Sequence, residues 1–120
     1  MSNHKFVHVE ISSKDSETMK AFYGAALDWS FQDFPESNYT TFTSGEGDLG
    51  CGFNPVTEQS PAGSIVIYIH TDDLADSKAK VSGAGGIILM DDLDIPGVGT
   101  MTMFKDPSDN VLALLQPAEM

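Results

Sequence analysis

Apolar and polar residues alternate from Lys5 to Ser12: Val7, Val9 and Ile11 share one parity, and Phe6, His8 and Glu10 the other. Successive strand side chains face opposite sides, so the pattern predicts a strand with one aliphatic face. The other face carries an imidazole and a carboxylate. The period then changes. Met19, Phe22, Tyr23, Ala26 and Leu27 recur at helical spacing and predict an amphipathic helix ending near Leu27. Asp15 is a suitable N-cap, and Glu17 in the first turn complements the helix dipole. The apolar stripe is expected to lie on the aliphatic face of the strand before it.

Further short strands follow. Trp29 to Gln32 alternates, Pro35 to Asn38 is a turn, and Tyr39 to Thr43 is β-branched and aromatic. Residues 44–48 predict a hairpin connection, and Leu49 to Phe53 a glycine-rich strand. Asn54 to Gly63 has the composition of a linker. The pattern then restarts. Ile65, Ile67 and Ile69 alternate with Val66, Tyr68 and His70. Asp72 and Asp73 can cap a second helix running to about Val81, with Leu74, Ala75, Ala79 and Val81 as a weaker stripe. Strands are predicted over Ile87–Met90, Thr100–Phe104 and Val111–Gln116, with Asp91–Gly99 as a loop and Asp106–Asn110 as a turn.

The element order is thus βαβββ, linker, βαβββ. An offset of 58 sets Asp15 on Asp73 and Val9–Ile11 on Ile67–Ile69. Two modules of this kind, about 5–54 and 64–117 with a linker at about 55–63, predict a single α+β domain over residues 1–120. Its mixed sheet should curl into a cup, with helices on the outer face.

Composition narrows the partners. The formal net charge is −12, with only six basic residues. A phosphate-neutralising patch is therefore not available, which argues against nucleic acid and anionic membranes. The charge fits a cationic or neutral small ligand, or simply solubility. The lone cysteine, Cys51, cannot form an internal disulfide and is expected to be structural. The N-terminus lacks an apolar signal core, and no apolar run approaches the ~20 residues of a bilayer span. These features predict a soluble, cytoplasmic protein.

HVEI, AFYGAALDW, IPGVG and FKDPSDNVLALLQP, in this order, resemble the vicinal oxygen chelate superfamily. This group includes glyoxalase I, extradiol dioxygenases and bleomycin-binding proteins, and the likeness is greatest to its small glyoxalase-like members. The resemblance implies paired βαβββ modules, a homodimer and a ligand cup. In the enzymes that cup holds a divalent metal, carried by His, Glu or Gln on the first and fourth strands of each module. Only His8 falls on such a position. Its second-module counterpart is Val66, the last-strand position falls at or beside Ala113, and Gly50–Phe53 offers no carboxylate. One imidazole cannot hold a divalent ion, so the family metal site is expected to be absent.

His8 and Glu10 are the candidate catalytic residues, and His8, Glu10, Val66, Tyr68 and Ala113 the candidate ligand contacts. A near-neutral imidazole suits proton transfer, and a cup-facing carboxylate needs a partner or a cationic ligand. His70 could join His8 and Glu10 in an improvised metal site only with unusual strand pairing. Three readings stay open. One is an enzyme acting on a small carbonyl-bearing or epoxide-like molecule, by acid–base chemistry or through a metal on non-standard ligands. Another is an acidic protein that sequesters a cationic drug, as the bleomycin-binding relatives do. The last is a ligandless dimer.

Overall fold

β1, Phe6–Ser13, is the strand on which the first half of the chain is assembled. The computed structural model describes residues 3–43 and 49–118. The predicted hairpin connection at 44–48 lies outside the described residues. Two compact units divide the chain, one running from His8 to Val66 and the other made of the stretches before and after it. Each combines strands with one α-helix, as an α+β reading requires.

In the first unit, β1 leads into α1, Ser16–Leu27. Asp15 caps α1 as predicted, its carboxylate accepting from the Glu17 amide at 3.2 Å. The helix ends where Asp28 turns into the left-handed region at φ 61°. β2, Ser30–Phe34, β3, Tyr39–Thr43, and β4, Gly50–Pro55, complete the predicted βαβββ order. β2 pairs antiparallel with β3, β3 antiparallel with β4, and β4 parallel with β1.

This register sorts the side chains. Val9 lies beside Cys51, Ile11 beside Phe53, and Phe42 beside Cys51. Phe42, Cys51 and Phe53 are the buried centre, and Val9, Ile11, Met19, Tyr23, Trp29 and Phe31 pack around them. Tyr23, Trp29 and Phe42 form a continuous stack, with ring centroids 4.7 Å apart at each step and planes within 8° and 7° of parallel. Cys51 is buried in this centre as a small apolar side chain.

The α1 stripe is narrower than its periodicity predicts. Met19 and Tyr23 reach the core, but Phe22 and Leu27 stay more than half exposed. Phe22 instead packs edge-on against Tyr23, with centroids 4.9 Å apart.

The segment after β4 is fastened down. The Ser12 hydroxyl bonds the Ser60 carbonyl at 3.1 Å and the Ser64 hydroxyl at 2.9 Å. Ser60 is almost completely buried. The predicted linker is therefore tied to β1 at Ser60 and just beyond its end at Ser64.

β5, Ile65–His70, whose residues from Ile67 on belong to the second unit, precedes α2, Leu74–Gly83, which Asp73 caps. β6, Ile87–Ile88, β7, Leu93–Ile95, β8, Gly99–Lys105, and β9, Val111–Pro117, follow. β5 runs parallel to β9, while β8 pairs antiparallel with β9, β6 and β7. Met101 and Met103 face Leu115 and Ala113 in this core.

Two details depart from the sequence pattern. The predicted loop 91–99 contains β7, which turns back onto β8 through Gly97 at φ 77°. The buried face of α2 is Leu74 and Ser77, whereas Ala75 and Ala79 are exposed. Ser77 tolerates burial because its hydroxyl meets that of Thr71 at 2.6 Å and the His4 ring at 3.2 Å.

Candidate functional site

The polar face of β1 is where chemistry-bearing side chains meet. The parity that sends Val9 and Ile11 into the core sends His8 and Glu10 to the opposite face. Their neighbours in register on β4 are Gly50 and Gly52, which have no side chains. On the far side of β4, Thr41 of β3 lies beside Gly52, so Tyr39 shares that face.

Tyr39 crosses β4 to reach β1. A Cβ built on Gly52 would fall 2.0 Å from the phenol oxygen and 2.4 Å from Cζ, so the ring occupies the space that glycine leaves open. The hydroxyl then lies between the two predicted residues. It donates to Glu10 Oε2 at 2.8 Å and meets His8 Nε2 at 2.6 Å. The imidazole and carboxylate themselves are 3.8 Å apart.

Burial makes these contacts matter. The Glu10 side chain is 10% exposed, and a polar group so buried is costly without a hydrogen-bond partner. The His8 side chain, at 22%, is the more accessible end of the chain of groups. A phenol has one proton. With that proton given to Glu10, the phenol oxygen accepts from His8, which places a proton on Nε2. Carboxylate, phenol and imidazole thus form a directed chain that fixes the ring and its tautomer.

The sequence pattern placed His8 and Glu10 on one face, and the structure brings them together. It did not identify Tyr39, whose only signal was its position in a strand opposite a glycine-rich one. Val66 and Ala113 are fully buried and Tyr68 is 8% exposed. Tyr68 and Ala113 lie side by side on β5 and β9. His70 is engaged elsewhere, its Nε2 meeting Asp72 Oδ1 at 2.9 Å. Hydrogen bonds from the His70 ring, and then from Asn3, hold the Asp72 carboxyl below its usual value.

A divalent ion would need several nitrogen or oxygen donors converging at about 2 Å. Among the described residues the donors that meet here are one imidazole and one carboxylate, both directed at a phenol, with glycines beside them on β4. Among the described residues no group of three or more His, Cys, Asp or Glu side chains comes together as a metal cluster. These residues do not fit the ion that the resemblance implies.

A cleft of about 380 Å³ lies where β1 enters α1, with Ser13, Asp15, Asp33, Thr40 and Tyr39 in its lining. Ser13 Oγ is buried there without a hydrogen-bond partner. Lys20 bridges Asp33 at 2.7 Å and Glu17 at 3.2 Å. The Lys20 ammonium and the Thr40 hydroxyl depress the Asp33 pKa. Among the described residues that line the cleft there is no histidine.

Comparison with known proteins agrees with this architecture. Residues 5–114 match the model of the glyoxalase/bleomycin resistance protein/dioxygenase superfamily. A glyoxylase-like domain-containing protein of Didymella fabae is 31% identical over 114 residues, covering 88% of both chains. CFP32 of Mycobacterium bovis, which carries the name of a glyoxylase, is 27% identical over 112 residues. That match covers 91% of this chain but 42% of CFP32, so the chain spans less than half the length of this curated relative. Among solved structures, the hypothetical protein BH1468 of Bacillus halodurans superposes with a TM-score of 0.72. It covers 99% of this chain and 98% of its own at 14% identity, which speaks to the fold alone. The chain is therefore a member of the glyoxalase/bleomycin resistance protein/dioxygenase superfamily.

Proposed function

We propose that this chain binds a small organic molecule beside His8, and that His8 exchanges a proton with it without the help of a metal ion. The observation that carries this reading is the Tyr39 hydroxyl held between Glu10 and His8. A buried carboxylate that orients a phenol, which in turn orients an accessible imidazole, is the arrangement that general acid–base chemistry needs. The ring is pre-positioned, so little ordering is required when a ligand arrives. The negative charge of −12 favours a second reading, in which a cationic molecule is held and not transformed. The same proposal takes the protein as a homodimer.

Thermal shift on wild type and His8→Ala tests the reading. Carbonyl metabolites, glutathione adducts, cationic glycopeptides and divalent metals are screened one class at a time. A ligand of the native state at 100 times its Kd stabilises by about 2.7 kcal/mol. The expected result is that an organic class raises the wild-type melt and has little effect on His8→Ala. Turnover of that ligand supports the acid–base reading, and binding of a cation without turnover supports sequestration. An equal shift in both proteins, or a shift only with zinc, nickel or manganese, overturns the proposal.

A further inference from the structure

We infer that the Tyr39 hydroxyl occupies the place at which a divalent ion would meet His8 and Glu10, and that Gly52 is the residue that opens this place to it. The inference rests on His8 and Glu10 being the working pair of the site.

The geometry is specific. His8 Nε2 and Glu10 Oε2 lie 3.8 Å apart. An ion bound to both at about 2 Å would fit within that gap. The phenol oxygen lies on the same gap, 2.6 Å from the nitrogen and 2.8 Å from the carboxylate oxygen. The hydrogen bonds to the hydroxyl use the Nε2 and Oε2 positions that an ion would take, so an ion meets this pair only if those bonds are broken. The ring is held by its two hydrogen bonds and by its fit above Gly52, where a Cβ would also come within 2.8 Å of Cε2.

The exchange has a chemical consequence. A metal draws electron density from its ligands and leaves an imidazole no lone pair on the bound nitrogen. A phenol keeps the imidazole proton-bearing at Nε2 and transmits the carboxylate's charge to it. In this chain Tyr39 is a positioning residue that acts through His8, and Gly52 determines whether it can do so.

Long-range proton–nitrogen spectra of the imidazole rings test this on chelator-treated protein, with no organic ligand present. His4 and His70 serve as internal controls. In wild type, His8 is expected as the hydrogen-bonded Nε2–H tautomer, with ring signals unmoved by equimolar zinc. Tyr39→Phe removes the oxygen and Gly52→Ala displaces it. Both should shift the His8 signals and leave those of His4 and His70 in place. Zinc-dependent shifts of His8 in wild type overturn the inference, as does a wild-type His8 signature in folded Gly52→Ala protein. If the variants fail to fold, the wild-type zinc titration still decides. No arm uses an organic ligand, so failure to find one tells against the functional proposal and leaves this result intact.

Discussion

The phenol of Tyr39 lies against the bare backbone of Gly52, closer than any side chain at that position would allow. Strand β4 is crossed by a side chain from β3 on its way to β1. Gly52→Ala should therefore destabilise the protein by about 1–3 kcal/mol, the usual range for overpacking. In a Tyr39→Ala background the three atoms nearest the added methyl are gone, and the penalty should shrink. Denaturant unfolding of the two single variants and the double variant measures this coupling, expected at about 0.5–3 kcal/mol. Additive effects would show that the ring does not use the space above Gly52.

Phe53 is 1% exposed and stacks on Phe42 at 4.9 Å and on Tyr23 and Phe31 at 5.9 Å. Phe53→Ala should cost about 3–5 kcal/mol, from lost burial and the cavity left behind. Phe22→Ala on α1, 60% exposed, should cost far less. Comparable losses for both would mean that the apolar stripe of α1 is covered in solution.

The hydroxyl of Ser77 is the one polar group on the buried side of α2. Ser77→Ala removes a 2.6 Å contact to Thr71 and the contact to His4, and should cost about 1–2 kcal/mol. Thr71 keeps its exchange with the Asp73 backbone, which limits the loss. A thermal melt of the variant unchanged from wild type would show that water replaces the serine.

Asp33 is held by Lys20 and Thr40, and its pKa falls below the ordinary 3.8. The folded state then binds this proton less readily than the unfolded chain. The resulting stability is present above the unfolded value and is lost as pH drops through the folded one. The Lys20 pKa is raised above 10.5, chiefly by Asp33, so its contribution is lost as pH climbs through the folded value. Asp33→Asn should flatten both the acid and the alkaline ends of the melting-temperature profile. A wild-type profile in the variant at both ends would remove the pair from the account of stability.

Most of the architecture was legible because period carries it. The parity of β1, the cap at Asp15 and the restart at Ile65 are local signals, and the strands and helices follow them. What was not legible depends on tertiary context. Ser77 takes a buried position that a hydropathy pattern assigns to outward-facing residues, because its partners come from Thr71 and His4. Strand β7 contains Asp94 and is followed by Pro96, so its three residues carry too little pattern to be separated from a loop. At the site, the parity of β1 was enough for His8 and Glu10. Tyr39 was not found, because its role depends on which strands are neighbours and on a glycine 13 positions away.

Trp29 is the chain's sole tryptophan and is sandwiched between Tyr23 and Phe42 in the His8–Val66 unit. Its indole emission therefore reports on one half of the molecule only, while circular dichroism weighs both. Coincident curves from the two probes would mean that the halves melt as one cooperative body, and divergent curves would give each half a stability of its own.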